Sequence, residues 1–221
     1  MPVLRALFAA LAAVPILPAQ VSFPTQDGGL IFADSYGAGV RAVVLVHGGR
    51  FDKGGWQKQA TVLAAAGFHA LAIDFRGEGQ SRGAANELPS DDRRRFDVLG
   101  AVHYLRNSGA KTVAVIGGSM GGDYACEAAQ AEPGSIDRLV LLGAGAYTPL
   151  TAMKGPKLFI LARDDANAEG PRLPKIRVQY EKAIEPKQIV ILPGSAHAQF
   201  LFDTDQGPRV MNEILRFLSS Q

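Results

Sequence analysis

The chain has 221 residues, 47% of them hydrophobic and 20% charged, with a formal net charge of +2. That length fits one large domain able to bury a sizeable core, and the composition is ordinary for a globular protein. The near-balanced charge gives no basis for a nucleic-acid partner, and the single cysteine, Cys126, excludes an intrachain disulfide.

The first twenty residues, MPVLRALFAALAAVPILPAQ, set a positive start (the amino group and Arg5) before an apolar run that closes on Pro18-Ala19-Gln20. This pattern is expected to act as a signal peptide over residues 1–19, leaving a mature domain over 20–221 that is periplasmic or secreted. The run is short for a membrane span and is interrupted by Pro15 and Pro18. No cysteine stands at the cleavage site to carry a lipid, so no stable membrane anchor is expected after processing.

Beyond Ala19, short apolar runs alternate with longer amphipathic ones. VSF and LIFAD flank Asp27-Gly28-Gly29 as an antiparallel hairpin. AVVLVHGG (42–49) reads as a strand buried on both faces. GGWQKQATVLAAAGF has helical spacing and stops at Gly67, a residue suited to a left-handed helix end. HALAIDFRG (69–77) is a strand. DDRRRFDVLGAVHYLRNSG is a helix that Ser90 is placed to cap, with Arg93-Arg94-Arg95 on a solvated face beside Asp91-Asp92. KTVAVIGG (111–118) is a strand and MGGDYACEAAQAE a helix, where Cys126 fits as a small buried hydrophobe. DRLVLLGAG, PKLFILARDD and KQIVILPGS are three more buried strands. LPKIRVQYEKA, before the last of them, and PRVMNEILRFLSS, at the end of the chain, have helical spacing. The alternation predicts an α/β fold: a mostly parallel twisted sheet with helices on both faces and an N-terminal antiparallel hairpin.

In such sheets, ligand-contacting residues gather beyond the carboxyl ends of the strands. His47-Gly48-Gly49, Asp74, Ser119, residues 162–165 and His197 all stand there. Gly117-Gly118-Ser119-Met120-Gly121 matches G-x-S-x-G between a strand and a helix, the setting in which a sharp turn projects a serine hydroxyl. Phosphate binding is not supported: no lysine follows these glycines, and the final glycine of Gly77-Glu78-Gly79-Gln80-Ser81-Arg82-Gly83 arrives one residue late for a dinucleotide loop.

A serine nucleophile needs a base. Of four histidines, His69 opens a strand at the wrong edge, His103 is in mid-helix, and His47 precedes two glycines where another role fits better. His197 follows the last strand and is the histidine after Ser119 in the chain. The base needs an orienting acid, and the strand end LFILARDD offers Asp165 as first choice and Asp164 as alternative. Backbone donors for an oxyanion are expected from Met120 N–H at the helix start and from Gly49 in the loop after AVVLVHGG.

Together these residues resemble the α/β-hydrolase superfamily, over nearly all of the expected mature chain. The resemblance is carried by His47-Gly48-Gly49, by Asp74-Phe75-Arg76-Gly77-Glu78-Gly79-Gln80-Ser81 (similar to D-x-R-G-x-G-x-S), by the elbow at Ser119, and by Gly194-Ser195-Ala196-His197. The order Ser, Asp, His is also the family's. It implies Ser119 as nucleophile, His197 as general base and Asp165 as acid, although Ala162 stands where the family's G-x-x-D has glycine. The layout is similar to dienelactone hydrolases, but with serine in place of their cysteine. Only about a dozen residues, AYTPLTAMKGPK, separate two strands between which many relatives insert a lid; an open, shallow site without a lid domain is expected, suited to short or exposed acyl groups. The implied activity is hydrolysis of carboxylic esters (or thioesters or amides) of small molecules, with no metal and no organic cofactor. Acyl transfer to another acceptor on the same triad, and a non-catalytic binding protein of this fold, are the alternatives.

Overall fold

The computed structural model describes residues 17–85, 92–145 and 147–220. In chain order they form β1 (Ala19–Pro24), β2 (Leu30–Tyr36), β3 (Arg41–Val46), α1 (Gln57–Ala65), β4 (His69–Ile73), α2 (Arg94–Asn107), β5 (Thr112–Gly118), α3 (Met120–Ala131), β6 (Arg138–Leu142), β7 (Lys157–Ala162), β8 (Ala166–Asn167), β9 (Gly170–Pro171), α4 (Arg172–Lys182), β10 (Lys187–Leu192) and α5 (Gly207–Ser219). Short 3-10 turns at Lys53–Trp56 and Ala198–Asp203 precede α1 and α5. Eight strands make one sheet in the order β1-β2-β4-β3-β5-β6-β7-β10, while β8 and β9 form a separate two-residue hairpin. β2 runs antiparallel to both β1 and β4, and the other neighbours are parallel.

The central strands, β3 to β7, are almost wholly apolar after their first residue because both faces of the sheet are covered there. Along β3, Val44 and Val46 face one core while Val43 and Leu45 face the other; β5 and β6 divide their side chains in the same way. The first core includes Val98, Val102 and Leu105 of α2, Ala125 and Cys126 of α3, and Ile176 of α4. The second includes Ala60 and Leu63 of α1 and Val210, Ile214 and Phe217 of α5. Cys126 is fully buried, and burial pushes its thiol well above the ordinary range, as a small core hydrophobe requires.

At the first hairpin and at the end of α1, local chemistry ends the elements where the sequence predicts. Thr25 Oγ1 accepts from Gly29 N–H at 2.8 Å and donates to Asp27 Oδ1 at 2.6 Å, closing the β1–β2 turn from within. At the end of α1, Gly67 takes φ +82°, with Phe68 N–H on Leu63 O and Gly67 N–H on Ala64 O. That paired bonding is the Schellman arrangement.

The start of α2 differs from the expectation. Ser90 and Asp91 lie outside the described residues, and the helix begins at Arg94, because Arg93 (φ −113°, ψ 15°) is not helical. Asp92 instead binds Arg94 Nη1 and the Tyr124 hydroxyl. The three arginines are half-buried rather than fully solvated, and Arg94 lies over the Tyr124 ring. Nearly all of the expected signal peptide, residues 1–16, is outside the described residues; Ala19 opens β1.

Below the sheet's carboxyl edge, Arg76 joins the hairpin turn to α2. Its Nε and Nη2 donate to Asp97 Oδ1 at 2.8 and 2.7 Å, and Nη1 donates to Asp27 Oδ2 at 2.8 Å. Its backbone N–H completes the grip on Asp97 Oδ2 at 3.0 Å. Burial pushes the Asp97 carboxyl up to about 6, against the opposing pull of Arg76. Removing one member of a buried charge cluster leaves the others uncompensated, so Asp97→Ala is expected to cost about 3 kcal/mol in urea unfolding. Because the folded state holds this proton more tightly than the unfolded one, the carboxyl's own contribution is complete below its ordinary value of 3.8 and is lost as the pH rises through 6. The stability of the wild type relative to Asp97→Asn should accordingly fall between pH 4 and pH 7.

Candidate active site

Ser119 stands at the end of β5, a central strand, where the chain turns directly into α3. Its backbone is at φ 50°, ψ −125°, a conformation that costs a non-glycine residue on the order of 1–3 kcal/mol. Its N–H is fixed on Leu142 O of the adjacent β6 at 2.9 Å. The turn is so tight that three glycines around it have no room for a side chain. A Cβ on Gly117 would lie 2.5 Å from Gly122 Cα, and one on Gly121 would lie 2.4 Å from His47 O. A Cβ on Gly122 would fall 2.3 Å from Ala144 Cβ. The first two are the motif glycines; the third carries no motif signal and is required by packing against the segment after β6.

His197 Nε2 lies 2.7 Å from Ser119 Oγ, and His197 Nδ1 lies 2.7 Å from Asp165 Oδ2. A carboxylate oxygen can only accept, so Nδ1 carries the imidazole proton and Nε2 is the acceptor for the serine hydroxyl. Asp165 is 1% exposed, whereas Asp164 points into solvent; the geometry brings the former to the imidazole and not the latter. Gly143 makes the space, since a Cβ there would approach His197 Nδ1 to 3.0 Å and Asp165 Oδ2 to 3.2 Å. Ala198, next to the histidine, is a second non-glycine residue at positive φ (52°) and is buried. Backbone strain thus flanks His197 as well as Ser119.

The other histidines are engaged elsewhere. His69 meets Ser35 Oγ at 2.8 Å, and His103 pairs with Glu132 on the outside of α2. His47 is buried: its Nδ1 binds Gly48 O at 3.0 Å and its Nε2 accepts from Phe75 N–H at 3.2 Å, tying the loop after β3 to the loop after β4.

A cavity of about 330 Å³ opens over Ser119 and His197, and Gly49, Met120 and Phe200 line it. Met120 begins α3, so its N–H has no acceptor within the helix. Gly48 N–H is taken up by Gln199 Oε1 at 2.8 Å, which leaves Gly49 as the loop residue next along the cavity wall. Gln199 is a residue that sequence reasoning missed. It is buried two positions after His197 and joins the loop after β3 to the loop after β10 across 151 positions. The segment between β6 and β7 has no helix among the described residues.

The sequence profile described as serine aminopeptidase, S33, matches residues 38–202. A 2-hydroxy-6-oxononadienedioate/2-hydroxy-6-oxononatrienedioate hydrolase of Cupriavidus pinatubonensis is 31% identical over 122 residues, 54% of this chain and 41% of that protein. The chain therefore spans less than half the length of that relative. A putative protein-lysine deacylase, ABHD14B, of Pongo abelii is 32% identical over 171 residues, covering 72% of this chain and 76% of the relative. Among solved structures, the Pyrococcus furiosus esterase Pf2001 superposes with a TM-score of 0.75 at 18% identity, covering 92% of this chain and 94% of that one. The likeness to the esterase concerns the fold.

Two substitutions test the local geometry. Gly122→Ala should lower stability by about 1–3 kcal/mol in thermal unfolding, the range for forcing a methyl group into a packed site. Gln199→Ala removes the acceptor of Gly48 N–H and should speed hydrogen exchange at that amide by about tenfold, a loss on the scale of one buried hydrogen bond.

Proposed function

The chain belongs to the S33 family of α/β-hydrolases, and within it we propose a serine hydrolase that cleaves carboxylic esters through an acyl-enzyme. The single observation that carries this reading is the unbroken line Asp165–His197–Ser119, with two contacts of 2.7 Å ending beside an open cavity.

Ser119 Oγ attacks the carbonyl carbon while its proton passes to His197 Nε2. Asp165 holds the ring through Nδ1–H and stabilises the imidazolium. The carbonyl electrons move onto oxygen, where Gly49 N–H and Met120 N–H are the donors, the latter at the positive end of α3. Collapse of the tetrahedral species expels the alkoxide, which takes the proton from Nε2. Water then attacks the acyl-enzyme with the same base, and Ser119 recovers its proton. Thioesters and amides follow the same course. The relative named a putative protein-lysine deacylase brings acyl-lysine amides within the screen. The short link between β6 and β7 leaves the site open, which favours short or exposed acyl groups. We also propose that residues 1–19 direct export, so that the protein recovered outside the cytoplasm should begin at Gln20 on N-terminal sequencing.

Labelling with a fluorophosphonate probe tests the central reading. Wild type should label rapidly at Ser119, and Ser119→Ala should neither label nor retain more than about 1 part in 10⁴ of the esterase kcat. Asp165→Asn should lower kcat by about 10⁴-fold through the wrong imidazole tautomer, while Asp164→Asn, on an exposed carboxylate, should stay within about twofold. A folded wild type that neither labels nor hydrolyses any ester, thioester or amide would exclude the proposal.

A further inference from the structure

Among the described residues, the charged side chains that line the cavity are of one sign. Two arginines, Arg50 and Arg172, line it together with Ser119 and His197, and no carboxylate among the described residues does. Asp52 and Glu78 line an adjoining groove that shares Gly49, Arg50 and Phe51 with the cavity, and neither lines the cavity itself. Phe51, Phe200 and Met120 supply the apolar part of the wall.

Neither arginine is committed to a partner that uses up its donors. Arg50 is exposed, lies 5.7 Å from the centre of the Phe200 ring, and has no ion pair among the described residues. Arg172, at the start of α4, is 19% exposed and stands with Nε 3.3 Å from Asp165 Oδ1. That pair is close but not aligned: neither Nε nor Oδ1 makes a hydrogen bond there. Arg172 thus balances the charge of Asp165 and is also one of the residues lining the cavity. A planar guanidinium at a partly buried wall is the donor best matched to a carboxylate.

Resting on the hydrolase reading above, we propose that the substrates are esters carrying a carboxylate of their own, held by Arg172 and Arg50 while the ester carbonyl lies at Ser119. The carboxylate sits on the acyl side, as in a monoester of a dicarboxylic acid, or on the leaving group, as in an ester of a hydroxy acid. In either case the two cations do not touch the reacting carbonyl, so their role in selection is read from the anionic-to-neutral ratio, in which any effect of Arg172 on the chemical step through Asp165 is common to both members of a pair.

The test compares matched pairs by kcat/KM: p-nitrophenyl hemisuccinate and hemiglutarate against the butyrate and pentanoate esters, and 4-acetoxybenzoate against phenyl acetate, with rates corrected for leaving-group pKa. At least one anionic member should be preferred by tenfold or more, and the preference should shrink as salt is raised. Arg50→Gln and Arg172→Lys, the second retaining a cation beside Asp165, should each reduce the anionic-to-neutral ratio several-fold, and the double variant Arg50→Gln/Arg172→Gln should bring it to about one. Hydrolysis of the neutral esters with no preference for any anionic partner would overturn this inference and leave the hydrolase reading standing. Failure on both members of every pair would remove the hydrolase reading, and this inference with it.

Discussion

The site depends on one backbone constraint, the turn at Ser119. A strand buried on both faces must deliver its last residue into a helix without a connecting loop, and the serine accepts a positive φ to do so. Such strain persists only where the surroundings over-determine it. Here the N–H of Ser119 is held by β6, and the first turn of α3 lies against the carbonyls of Val46 and His47 at the end of β3. The glycines at 117, 121 and 122 are therefore not flexible points. They allow three chain segments to approach within a distance that no side chain tolerates, and the hydroxyl projects because the backbone has nowhere else to go.

From that fixed hydroxyl the remaining geometry is reached by loops that follow parallel strands. β7 carries Asp165, β10 carries His197, and β3 carries the Gly48-Gly49 pair, all ending on the same edge of the sheet. The parallel arrangement makes this convergence automatic, since every crossover returns the chain to begin again at the opposite edge. The loops are then tied to one another. Gln199 binds Gly48, His47 binds Phe75, and the space at Gly143 admits the His197 imidazole and the Asp165 carboxyl. A side chain two positions from the histidine thus holds the loop that faces the serine, so the two halves of the site cannot shift independently.

Charge is distributed in two regimes. The Arg76 cluster is buried, satisfied on several sides and remote from solvent, and it braces the hairpin against α2. Arg172 and Arg50 stand at the cavity with donors to spare. The same residue type serves as a structural rivet in one place and as a lining cation in the other, and the difference lies in how many carboxylates the fold brings to each guanidinium.

The amino-acid sequence by itself determined the alternation of strands and helices, the antiparallel hairpin at the start, and the elbow serine, because hydrophobic period and glycine spacing are local properties that the chain carries wherever it goes. The position of His197 at the carboxyl edge of the sheet was also legible, by its place after the last strand. Adjacent residues were not separable in this way: Asp164 and Asp165 share one loop and one composition, and only the path of that loop buries the second beside the imidazole and turns the first to water. The start of α2 was misplaced for a related reason, since Asp92 is drawn to Arg94 and Tyr124 rather than into the helix. Gly122, Gly143, Gln199 and the facing pair Arg172–Asp165 left no readable signal. Their roles consist of contacts between segments far apart in the chain, and such contacts exist only once the sheet has assembled.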